Sequence, residues 1–220
     1  MKTLKNLKHS ILVLCAISTF TFTSCDNDDE IAPKEHDHEV ITHVELIFTP
    51  EGGGDAVTAH AEDPDGEGVE DLEVDGPIDL AANTTYTLTF EILNELHDEH
   101  DDEHGEEHGE EHGEEHGEDI AAEIKREDDE HQFFFEFTND AFTDPSGTGN
   151  ISGTSDINYV DFDENGNPLG LETTWETGAG TQAGEFTVRL QHQPGIKTAT
   201  SGANDGDADF DLTFELNIQQ

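Results

Sequence analysis

Asp209-Phe210-Asp211-Leu212-Thr213-Phe214-Glu215-Leu216-Asn217-Ile218 decides the fold class. Every even position is apolar and every odd position is polar. Side chains alternate across a strand, so this period of two marks a half-buried strand; a helix would repeat every 3.6 residues. The pattern recurs along the chain. Tyr86, Leu88, Phe90 and Ile92 alternate with Thr85, Thr87, Thr89 and Glu91. Phe186, Val188 and Leu190 alternate with Thr187, Arg189 and Gln191. Phe133, Phe135 and Phe137 share one face, with Phe134 on the other, and Val40, Thr42, Val44, Leu46 and Phe48 share another. Weaker strands are expected over 56–61, 157–162 and 169–175. Gly, Asn, Asp and Pro cluster between these runs, as turns require. The only helix-like piece, Ile120 to Arg126, is too short to stand alone.

Seven to nine such strands predict an all-β domain over residues 39–220, an antiparallel immunoglobulin-like β-sandwich. Thirteen Phe supply its core. Leu80-Ala-Ala-Asn-Thr-Thr-Tyr86 resembles a tyrosine corner, in which a Tyr opening a strand ties its hydroxyl back to the preceding loop.

One segment breaks the pattern. Residues 97–119 hold 6 His, 13 acids and 4 Gly and nothing else. They close with Gly-Glu-Glu-His three times, ending at His116. Without an apolar residue the segment cannot bury a face, so it is predicted to be a disordered loop inserted between two strands. A helix would align the histidines, but a Gly in every turn costs about 1 kcal/mol each. Neutral imidazole is a ligand for zinc and its neighbours, and carboxylates add oxygens and cancel charge. His97, His100, His104, His108, His112 and His116 are therefore the predicted metal ligands. Their many equivalent combinations suit a labile zinc or similar divalent ion. Binding is expected to weaken as imidazoles protonate, below about pH 6.5.

The amino terminus reads as an address. Lys2, Lys5 and Lys8 precede a short apolar run, Ile11 to Phe22, that ends at Phe22-Thr23-Ser24-Cys25. The run is too short to span a bilayer and has the layout of a secretory signal over residues 1–24. Its ending resembles a bacterial lipobox, which makes Cys25 the lipidation site and a lipid anchor the link to the membrane. Asp26 to Glu30 resembles the acidic tract that follows this Cys in Bacteroidota surface lipoproteins. Residues 25–38 read as a flexible acidic tether. Cys15 lies inside the signal, so no disulfide is available.

The chain has 220 residues, 8 Lys and Arg against 54 Asp and Glu, and a net charge of −46. Such a chain does not seek nucleic acid, whose binding rests on Lys and Arg. It is expected to be soluble, monomeric and attractive to cations.

Other candidates are weaker. His36 and His38 form a small His/acid cluster in the tether. His43 and His60 fall on the polar faces of their strands. His131 opens the Phe-rich strand, and His192 extends the face of Phe186, Val188 and Leu190. Each alone reads as a hydrogen-bonded strand-end histidine; together they gain interest if their strands are neighbours. Asp161, Asp163, Asn165 and Glu172 fit an EF-hand calcium loop on paper. However, strand-like flanks, Pro168 and Asn165-Gly166 favour a hairpin. No nucleophile elbow, phosphate loop or zinc-protease signature occurs, and the chain is read as a non-enzyme.

The whole resembles a group of flavobacterial surface lipoproteins. The matching stretches are Phe48-Thr-Pro-Glu-Gly-Gly-Gly-Asp55, Asp63-Pro-Asp-Gly-Glu-Gly68, Ile78 to Leu88, Glu130-His-Gln-Phe-Phe134 and Leu190-Gln-His-Gln-Pro194. The resemblance implies a place on the outer membrane, at the cell surface, beside a TonB-dependent receptor. The expected function is capture or buffering of zinc for uptake by that receptor. The alternative is a structural, partner-binding surface domain without a metal role, with calcium in its turns.

Overall fold

The computed structural model describes residues 40–63, 72–96, 117–180 and 182–220. The predicted signal, Cys25, the tether and the six tract histidines lie outside the described residues. Among the described residues no helix is long and apolar enough to cross a membrane.

The first strands are β1 (His43–Pro50), β2 (Val57–Glu62), β3 (Glu73–Asp75), β4 (Ile78–Ala81), β5 (Thr85–Asn94) and β6 (Glu118–Asp119). One helix, α1 (Ile120–Arg126), follows. The rest are β7 (His131–Phe137), β8 (Phe142–Asp144), β9 (Asn158–Tyr159), β10 (Glu172–Thr177), β11 (Gln182–His192) and β12 (Asp207–Gln219). The protein is all-β in class, and α1 occupies the one stretch that read as helical.

The strands form two sheets. One runs β3-β2-β1-β5-β10-β8, with β6 paired to β5 and β9 to β10; the other runs β4-β12-β11-β7. One expectation needs correction: β4 pairs with β12 in parallel, so the second sheet is mixed. No hairpin joins these two strands, so their relative direction is free, and either direction can turn Ile78 and Leu80 inward. The short strands β3, β4, β6 and β8 escape the periodicity because two to four residues cannot display it.

The long strands alternate as expected. In β12, Phe210, Leu212, Phe214, Leu216 and Ile218 are buried while Asp211, Thr213 and Glu215 are exposed. The inner faces meet through aromatic side chains. Trp175 lies edge-on or tilted against Phe135, Phe137, Phe142 and Phe186 at centroid separations of 4.8–5.6 Å. These edge contacts place ring hydrogens on neighbouring π-faces, adding about 0.5–1.5 kcal/mol per pair beyond burial. Phe134, on the opposite face of β7, is also buried. Tyr86 does tie back: its hydroxyl accepts a hydrogen bond from the Ala81 amide at 2.9 Å.

Two contacts orient the layers. Phe48, beside Tyr86 at one end of β5, touches Phe186. Further along, Phe90 stacks on Phe133, which pairs with Leu190. The ends of β5 and β11 therefore lie at the same end of the domain, and α1 caps the chain there. Asp119 is the N-cap, accepting from the Ala122 amide at 2.9 Å, and Ile120 and Ile124 enter the core.

Candidate metal centre

At this end the apolar alternation of three strands gives way to ligating side chains. His131 is the first residue of β7 and continues the Phe133 face. His192 is the last residue of β11 and continues the Leu190 face. The two are cross-strand partners. Their rings stack with centroids 4.6 Å apart and planes within 4°. His131 is fully buried and His192 nearly so.

The third group arrives through a bulge. Leu190 pairs with Phe210 and Gln191 pairs with Ala208, which leaves Asp209 as an extra residue in β12. Strict alternation would place Asp209 on the solvent face of Asp211. A bulge re-aims one side chain. The Asp209 carboxylate is enclosed, with Oδ2 3.9 Å from His131 Nε2, whereas Asp211 is 41% exposed. Ligand atoms of His131, His192 and Asp209 all lie within 4.8 Å of one another. Glu130 stands beside one of them, its Oε2 3.7 Å from His192 Nε2, outside the group of three.

The protonation of His131 follows from its partner. Nδ1 is 3.2 Å from the Glu127 carbonyl oxygen. A carbonyl can only accept, so Nδ1 carries the proton and Nε2 holds a lone pair. Burial lowers the His131 pKa to about 4, with nearby His192 and Lys197 pushing the same way against the Glu127 hydrogen bond and Asp129. The ring is thus neutral near pH 7. Its Nε2 makes no hydrogen bond.

A cation placed between this lone pair and the Asp209 carboxylate would be attracted to both. A backbone carbonyl holding the far nitrogen is the usual outer support of a metal-bound histidine. Zinc bonds of 2.0–2.2 Å place tetrahedral ligands about 3.3 Å apart. The 3.7–3.9 Å separations are slightly wider than that.

The surrounding backbone is tightly held. The Gln193 amide donates to the Glu130 carbonyl at 2.6 Å. Gln193 Nε2 donates to the carbonyls of Gly202 and Asp205. Gly206 adopts φ +84°, and a Cβ there would come within 2.0 Å of the His192 carbonyl oxygen. The approach to β12 thus requires glycine.

The other candidates have different surroundings. His43 and His60 stack at 6.2 Å on the outer face of the first sheet. Glu62 lies 3.8 and 3.9 Å from them, and Asp75 3.4 Å from His60. In the EF-hand-like segment, Asp161 Oδ1 accepts from the Gly170 and Glu172 amides. Asp163 accepts from the Asn165 and Asn167 amides and from the Asn167 side chain, and pairs with Lys197 Nζ at 3.5 Å. Gly166, at φ +82°, closes this tight turn. Asn165 and Glu172 are exposed. These acids organise a turn, and Lys197 supplies a positive charge beside it.

Asp209 is the residue that sequence reasoning missed. Alternation assigns it to the solvent face of its strand, and no periodic rule reveals a one-residue bulge. Comparison with family models, curated proteins and solved structures yields no match.

Proposed function

We propose that this protein is a lipid-anchored surface lipoprotein of the outer membrane that captures a divalent transition metal, zinc foremost, for a TonB-dependent receptor. Its domain is read as an immunoglobulin-like β-sandwich, a reading favoured by the two facing sheets and the Tyr86–Ala81 tie. The observation that carries metal binding is the buried meeting of His131, His192 and Asp209. Imidazole with carboxylate suits zinc, copper(II) or nickel, while calcium prefers oxygen alone.

The position of the His/acid tract supports the same reading. Asn94 pairs with Glu118, so the tract leaves and re-enters the domain at one point. That point lies at the end of β5, the end that holds His131 and His192. Ions gathered by the six tract histidines would be concentrated beside the buried centre.

The test is metal analysis of the full mature chain purified without an affinity tag, followed by calorimetric zinc titration at pH 7.5 and 5.5. Zinc retained through dialysis, with weaker binding at pH 5.5, is expected. No retained metal and no heat, or equal affinity at both pH values, would sink the reading.

A further inference from the structure

We infer that Glu130 is the fourth ligand of the buried centre, so that the ion is held by four protein atoms with no open position. This rests on the metal reading above and sharpens it. The tract offers exchange, whereas the centre retains.

The argument begins with the chain path. Glu130 immediately precedes His131, and its backbone is fixed on both sides. Its amide donates to the Glu127 carbonyl at 2.9 Å, and its own carbonyl accepts from Gln193 at 2.6 Å. That pairing with the residue after His192 holds the Glu130 side chain over His192. Oε2 stands 3.7 Å from His192 Nε2, close to a tetrahedral ligand edge of about 3.3 Å.

The side chain is 22% exposed, while those of His131 and Asp209 are fully enclosed. Three ligands are set by strands, and Glu130, the most exposed side chain of the four but with its Oε2 buried, has to turn from His192 toward the other two to complete the set. Two imidazoles and two carboxylates make a neutral set around a divalent ion, the favourable charge balance for burial. A set of four protein ligands is the mark of a retained zinc; a catalytic zinc keeps one position for water.

Cobalt(II) titration of the full mature chain, its six tract histidines replaced by glutamine, reads the coordination number directly. The expected result is one equivalent bound with the intense visible absorption of four-coordinate cobalt. Glu130→Gln should admit water, lower that absorption and weaken affinity on the order of 10-fold or more. Glu130→Asp should restore part of both.

Weak, five- or six-coordinate absorption in the protein with Glu130 intact would overturn the closed site and leave metal binding standing. An unchanged spectrum and affinity in Glu130→Gln would likewise remove Glu130 from the ligand set. Failure to bind cobalt at all would instead overturn the underlying metal reading. X-ray absorption of the zinc form with Glu130 intact counts ligands without relying on a variant that folds poorly; a count above four overturns the proposal.

Discussion

His131 and His192 are direct cross-strand partners with nearly parallel, stacked rings 4.6 Å apart, and the strands carrying them meet at no other histidine pair. Residues 131 and 192 are far apart in sequence, so the pair exists only once β7 and β11 are in register. Any ion shared between them binds the folded state and not the unfolded chain. Metal binding at this site therefore reads out as stability.

Zinc at about 100 times its Kd should stabilise the domain by about 2.7 kcal/mol. For a domain of this size that is roughly 5–10 °C in Tm. Zinc held by the tract would be held by the folded and the unfolded chain alike, so it would contribute little to the shift. Asp209→Asn keeps size and burial but removes the carboxylate of a proposed ligand. It should abolish most of the zinc-dependent shift. Thermal melts with zinc and with a chelator check this; an undiminished shift in Asp209→Asn would place the ion elsewhere.

Gly206→Ala should cost more than an ordinary surface change. The left-handed conformation alone costs a non-glycine residue about 1–2 kcal/mol. A methyl 2.0 Å from the His192 carbonyl oxygen must also displace backbone. Because that carbonyl belongs to a proposed ligand, the variant should lose zinc-dependent stabilisation as well as global stability. Urea unfolding with and without zinc measures both, and a loss below about 0.5 kcal/mol, the ordinary surface range, would contradict it.

The sheets were legible in the sequence because long strands with one buried face must alternate. Phe210 to Ile218 and Phe186 to Leu190 did so without exception. The parallel β4–β12 pairing was not legible, since four residues carry no direction. The centre was half legible. His131 and His192 sat at the ends of apolar faces, which is unusual for His, but their partnership depends on which strands adjoin. Asp209 was hidden because a bulge shifts a side chain from one face to another without changing composition. The tract histidines were conspicuous for the opposite reason, being composition alone.

Lys197→Met should destabilise the protein by about 3 kcal/mol. The Lys197 ammonium and Asp163 carboxylate are both enclosed, 3.5 Å apart. Burial lowers the Lys197 pKa, opposed by Asp163, Asp128 and Asp129. For Asp163, burial pushes the pKa up, but hydrogen bonds from Asn167 and Asn165 and the charge of Lys197 hold it below the ordinary value. Removing the lysine leaves a buried carboxylate with amide donors and no countercharge. The double variant Lys197→Met, Asp163→Asn should recover at least a third of the loss. Urea titrations of the four proteins form the cycle, and strictly additive losses would show that the pair is not coupled.

Tyr159 supplies an alkaline signature. Its hydroxyl donates to the Phe133 carbonyl at 2.7 Å and accepts from Asn150 Nδ2 at 2.9 Å, bracing the β9 loop against β7. Burial raises its pKa to about 12, only partly offset by hydrogen bonds from Asn150 and Gln132, with Asp161 adding to the rise. In the unfolded chain a tyrosine ionises near pH 10. Between those values the unfolded state gives up its proton while the folded state keeps it. The contribution is therefore complete below about pH 10 and is lost as pH rises toward 12, up to about 3 kcal/mol. Tyr159→Phe should lose about 1 kcal/mol at pH 7 from its missing hydrogen bonds. Above pH 10 its stability should fall less steeply than that of the unaltered protein, so the two curves converge. The protein has one other tyrosine, Tyr86, which is present in both and cancels. Urea unfolding at intervals between pH 8 and 11.5 tests this, and curves that stay parallel throughout would show that Tyr159 ionises freely in the folded state.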